Sequence, residues 1–280
     1  MRLLLRVVLL WLFVGPVVHL GQTKSGQTAQ SPSAQAAKQT PPENPLVKAL
    51  REGNQALADG HYDDAIAAYD RGIALDPTQD AFFLNKARAL RLRGATTWNQ
   101  SLKNRDQKTK DAIQRDWVAA LAACSKALDI VETDSRAKPP VDPAQLGQRR
   151  LAALEEKAEI LKLLLDIEPA TDDARLHEAI AAFQAAADLT KDPVKKNRLL
   201  YREGMLLLGT ADNPGRTLSV FKSILETEPE NLDALYGAAM ATLMLQDGKS
   251  CKEYGARFFK AAPAVDRRRA EIKEACDAIP

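Results

Sequence analysis

Gly53-Asn54-Gln55-Ala56-Leu57-Ala58-Asp59-Gly60-His61-Tyr62-Asp63-Asp64-Ala65-Ile66-Ala67-Ala68-Tyr69-Asp70-Arg71-Gly72-Ile73-Ala74-Leu75-Asp76-Pro77 is the stretch on which the fold turns. Its small residues, Gly53, Ala65 and Gly72, fall where two helix backbones would touch. Its large ones, Leu57, Tyr62, Ile66, Tyr69 and Leu75, fill the space between the helices. Gly60 marks the turn, and Pro77 stops the second helix because it offers no amide to continue the ladder. The stretch therefore reads as a helical hairpin.

With these small and large residues at these positions, the stretch resembles a tetratricopeptide repeat (TPR), a two-helix unit of about 34 residues that stacks on copies of itself. The pattern continues downstream. In the second copy, Asp80 to Leu90 opens the first helix, with Ala87 for Gly53 and Gly94 for Gly60, and Ala120 to Leu128 matches the second helix. Residues 95–116 are extra, polar and rich in Lys and Arg, so both helices are expected to extend into a longer, protruding hairpin. After the loop Lys138-Pro139-Pro140-Val141-Asp142-Pro143, a third pair spans Leu151 to Leu165 and Ala179 to Leu189. The fourth pairs Tyr201 to Leu208 with Thr217 to Leu225, and the fifth Leu232 to Leu245 with Ser250 to Ala262. Val265 to Ile279 reads as a charged capping helix. The expectation is an all-α, TPR-like α-solenoid of about five hairpins plus a C-terminal cap, over residues 46–280.

Composition agrees. Alanine is abundant around residues 56–74 and 118–127, which favours helix and lets helices approach closely. A net charge of +2 argues against a general nucleic-acid binder. Arg2 and Arg6 precede an apolar run from Val7 to Leu20, so residues 1–21 read as a secretory signal or an N-terminal anchor. Gly21 is one candidate cleavage end, and Ala34-Gln35-Ala36 is a later one. No Cys follows the run, which argues against a lipoprotein anchor. Residues 22–45, rich in Gln, Ser, Thr, Ala and Pro, read as a disordered linker. The expected location is exported, periplasmic or extracytoplasmic. The alternative is anchorage by an uncleaved N-terminal helix, with membrane contact through that segment alone.

Candidate chemistry is sparse. Cys251 and Cys276 lie almost equidistant from a turn near Ala264, which puts them level in an antiparallel hairpin, within a disulfide's reach. With an export signal a disulfide is expected; the alternative is two unrelated thiols. Cys124 replaces Tyr69 of the pattern and reads as a buried, inert thiol. His19, His61 and His177 have no His or Cys at metal-ligand spacing. Asp63-Asp64 and Asp172-Asp173 sit at helix starts, where negative charge complements the helix dipole. No phosphate loop or nucleophile elbow is present, so no catalytic, cofactor or metal site is expected.

The resemblance implies that the first helix of each pair lines a concave face across which partner peptides lie. Projected from the small-residue landmarks, repeat one presents Leu50, Arg51, Asn54 and Leu57; repeat two presents Leu84, Asn85, Arg88 and Arg91; repeat four presents Arg198, Tyr201, Arg202 and Met205. Asparagine amides pair with extended backbone and arginine forks with carboxylates, so Arg51, Asn54, Asn85, Arg88 and Arg91 form the expected patch for an acidic or C-terminal segment. Chaperone-binding members of the family use a carboxylate clamp whose two asparagines match Asn54 and Asn85. Its lysine is replaced by Leu50, and Glu155, Glu156 and Glu159 stand where its further basic residues are required. The expected function is a non-enzymatic module that binds a protein or peptide in the concave groove. The alternatives are an envelope assembly scaffold using the 95–116 hairpin, or, further off, a clamp-type chaperone cofactor.

Overall fold

Why the chain folds into hairpins is visible at the helix ends. The computed structural model describes residues 43–279 except 103–105, 168–172 and 211–212; among the described residues eleven helices follow one another and no strand occurs. They are α1 (Pro45–Ala58), α2 (Tyr62–Leu75), α3 (Asp80–Gln100), α4 (Gln107–Ser135), α5 (Pro143–Ile167), α6 (Asp173–Leu189), α7 (Pro193–Thr210), α8 (Pro214–Thr227), α9 (Leu232–Met244), α10 (Gly248–Ala261) and α11 (Arg268–Asp277). Side chains cap the starts: Asn44 accepts from the Leu46 amide, Asp106 from Thr109, Asn213 from Arg216, Asn231 from Ala234 and Asp247 from Ser250. Each satisfies an amide that the helix itself leaves unpaired. Gly60, at φ 76°, makes the first turn in a conformation that a side chain would disfavour.

The chain is an all-α solenoid of five hairpins closed by α11, as the repeat pattern predicts. The expected signal or anchor over residues 1–21, and the expected linker as far as residue 42, lie outside the described residues. The last residues of the expected linker belong to the fold, since Asn44 caps α1 and Pro45 begins it. Among the start points, α5 and α7 each begin eight residues earlier than expected, at Pro143 rather than Leu151 and at Pro193 rather than Tyr201.

Two packing details depart from the sequence reading. The small residues receive aromatic rings rather than a facing backbone: a Cβ at Gly53 would collide with the Tyr69 ring, and one at Gly72 with the Phe82 ring. The 95–116 segment does lengthen α3 and α4, to 21 and 29 residues, but it is not wholly polar prong. Ile113 is buried, Ala95 and Trp98 pack on the same cluster, and Trp117 is buried with its indole N–H donating to the Arg91 carbonyl at 3.1 Å. Leu102 near the tip stays exposed.

The layering follows from which helices approach. Consecutive helices all pack together. Next-but-one neighbours come within 8 Å, Cα to Cα, only among the odd-numbered helices: α1–α3, α3–α5, α7–α9 and α9–α11. The odd helices, the first of each pair, therefore form the tighter inner layer and the even helices the outer one. One inner pair, α5 and α7, does not approach that closely. Among the described residues no helix is long and apolar enough to cross a membrane.

Candidate functional site

The inner layer carries the residues to be tested. Four of the five expected contact residues lie on one chain of hydrogen bonds and ion pairs. The Tyr69 hydroxyl donates to Asn54 Oδ1 at 3.0 Å, and Asn85 Nδ2 reaches the same oxygen at 3.4 Å. Arg88 donates in turn to Asn85 Oδ1 at 3.1 Å. Arg91 forks onto both carboxylate oxygens of Glu156, and Arg88 Nε stands 3.8 Å from Glu156 Oε2. Arg51 lies apart, paired with Glu43 through two 3.0 Å contacts in solvent. Leu84, projected onto the face, is buried in the core instead.

This arrangement sets the electrostatics. Glu156 is nearly buried, so its pairing with Arg91 and Arg88 matters more than a surface ion pair. Its charge is already committed to the two arginines that an acidic ligand would seek. Burial also pushes the Tyr69 phenol up to about 12, so at neutral pH it stays a donor to Asn54.

Further along, α5 and α7 face each other through matched charges. Lys195 lies 3.1 Å from Glu155, and Arg202 lies 3.5 Å from Glu159. Beyond these pairs opens a cleft of about 550 Å³, lined by Lys162 and Asp166 from α5 and by Arg198, Tyr201, Arg202, Met205 and Leu206 from α7. The four residues projected inward from the fourth repeat are thus brought together. Lys162, Asp166 and Leu206 were missed. The signal for the charges was present: α5 carries ionisable groups at 155, 159, 162 and 166, and α7 at 195, 198 and 202, each at helical spacing on one face.

The cysteines and Asp63 are held in structural contacts. Cys124 is buried, donates to the Ala153 carbonyl at 3.0 Å, and its thiol is pushed up to about 12 by burial and the neighbouring Glu156 charge. Such a thiol is a poor nucleophile. Cys251 and Cys276 are joined, with Cα atoms 5.5 Å apart. Asp63 pairs with Arg93 rather than with a second carboxylate, and Arg93 also holds Asp116. Among the described residues no three His, Cys, Asp or Glu side chains cluster as metal ligands would.

No family profile matches the sequence, and no curated protein does. Solved structures do. YrrB, described as a TPR protein with an unusual peptide-binding site, aligns over 82% of this chain and 92% of its own, at 14% identity and a TM-score of 0.56. TTC0263, a thermophilic TPR protein of Thermus thermophilus, aligns over 82% and 98%, at 17% identity and a TM-score of 0.37. The TPR2AB domain of yeast Sti1, solved in complex with pHSP90, aligns over 83% and 97%, at 16% identity and a TM-score of 0.33. The likeness to YrrB establishes that this chain has the TPR fold.

Proposed function

We propose that the chain is a non-catalytic interaction module that holds a peptide or protein segment along the face formed by α1, α3, α5, α7 and α9. The observation that carries the reading is the inner layer itself. It presents amides and arginine forks from successive repeats on one side, and it opens between α5 and α7 into a cleft that no other helix fills. In YrrB the same fold is described with a peptide-binding site. Asn54 and Asn85 would engage the backbone of the segment, with Arg51, Arg88 and Arg91 favouring acidic residues in it. Because Glu156 already pairs with Arg91 and stands 3.8 Å from Arg88, an acidic segment meets one net positive charge there rather than two. Clamp-type capture of a chaperone C-terminus is disfavoured for the same reason. Residues 1–21 would deliver the module to an extracytoplasmic space or tether it at a membrane.

A photo-crosslinking residue in place of Arg88 or Tyr201 should capture the partner in cells, whereas one in place of exposed Val118 on α4 should not. Capture from a crosslinking residue in place of Leu102, in the 95–116 hairpin, would instead favour the scaffold reading. That reading draws on a single observation, the exposure of Leu102 near the end of the long α3–α4 hairpin.

A further inference from the structure

Of all the successive inner pairs, α5 and α7 alone stand apart, and the cleft between them has a composition unlike the rest of the face. Its floor is apolar. Met205 is exposed beside half-buried Tyr201 and Leu206, and Leu206 is anchored on the buried cluster of Leu161, Leu165 and Ala179. An unbranched, polarisable methionine beside an aromatic ring accommodates apolar side chains of varied shape. A cleft of about 550 Å³ is ample for one large side chain and the backbone on either side of it.

Its rim is cationic, and the cations are not equivalent. Lys162 bonds Asp166 at 2.6 Å, and Arg202 faces Glu159 at 3.5 Å. Arg198 is exposed and makes no ion pair among the described residues. Once the partners are counted, the surplus charge at the rim is that of Arg198. A carboxylate arriving there displaces nothing, in contrast to one arriving at Arg88 or Arg91. A basic segment would meet that uncompensated charge, and such like-charge juxtaposition disfavours wrong partners.

We infer that the α5–α7 cleft is a subsite for an acidic protein segment, which seats one apolar side chain on Met205 and Tyr201 and gives a neighbouring carboxylate to the fork of Arg198. This rests on the reading that the inner face holds a partner segment, and it adds the class of segment and the place where selection occurs.

The test is fluorescence anisotropy on the full chain with a labelled heptapeptide, Gly-Glu-Glu-Leu-Glu-Glu-Gly. Two matched peptides serve as controls, one with serine for leucine and one with lysine for every glutamate. The leucine–glutamate peptide should bind best. Arg198→Glu and Met205→Glu should each weaken it about tenfold or more, while Lys222→Glu, at an exposed position on the outer helix α8, changes it less than about twofold. Arg198→Glu should also narrow the gap to the lysine peptide. Arg198→Gln removes the charge without reversing it, and melting curves report whether each variant is folded. Equal affinity for the three peptides, no binding at millimolar concentration, or wild-type affinity in both Arg198→Glu and Met205→Glu would overturn the subsite. If the peptides fail while crosslinks from Arg88 persist, only the subsite falls; if crosslinks come from Val118 instead, the reading of the inner face falls with it.

Discussion

Glu203 shows how much a single side chain can cost inside this stack. It is buried on α7; one carboxylate oxygen takes a 2.7 Å bond from Arg216 and the other has no hydrogen-bond partner. Burial raises its pKa above the ordinary glutamate value, and Arg216 offsets this only in part. A carboxyl whose folded pKa is raised binds more protons folded than unfolded, so its contribution to stability falls as pH rises through that interval. At neutral pH the ionised group is therefore a burden. Glu203→Gln should raise the melting temperature at neutral pH, and the gain should shrink as pH falls toward the ordinary glutamate pKa and level off below it. A melting temperature equal to or below wild type at neutral pH would contradict this.

Phe221 poses the opposite problem, one of space. Its fully buried ring is wedged between Gly204 on α7 and Gly237 on α9; a Cβ at Gly204 would lie 2.7 Å from the ring, and one at Gly237 nearer still. Gly237→Ala should destabilise the chain by about 1–3 kcal/mol in urea denaturation. In a Phe221→Leu background the loss should be smaller, because the two sites share one cavity. Gly204 could be read from the sequence as the landmark of repeat four. The ring that occupies it could not, since spacing says where room exists and not what enters.

Among the elements, α11 depends most on a covalent bond. It is only 10 residues long, too short to persist alone in water. Ile272 and the Cys251–Cys276 link hold it to α10. The bond closes a 25-residue separation, for which loop-closure entropy gives about 3.5 kcal/mol. Replacing both cysteines by serine should raise amide exchange in α10 and α11 while α1–α4 keep their protection. Uniform loss along the chain would show that the stack does not fray locally. The level placement of the two cysteines was legible because it follows from counting along an antiparallel pair. The fate of the 95–116 segment was legible only in part. Its length foretold longer helices, but Ile113 and Trp98 are isolated apolar residues in a polar stretch, and only the register of α3 against α4 turns them inward.

Across the whole molecule, what the sequence displayed was the period, and the period sufficed for the hairpin count and the inner layer. It could not display couplings between distant repeats. Arg91 and Glu156 are 65 positions apart, and only the packing of α3 on α5 makes their charges cancel. For that reason Arg88 and Arg91 look like available ligands in the sequence and are committed pairs in the fold.

The missing approach between α5 and α7 has a mechanical consequence. A stack resists bending where adjacent inner helices brace each other. At this one joint the bracing passes through α6, through the packing of Leu206 on Leu161 and Leu165, and through ion pairs on flexible stems. The array should therefore bend more readily at this joint than at the others. A segment seated in the cleft should hold that bend at one angle, and small-angle scattering would register it as a change in the distance between α1 and α11.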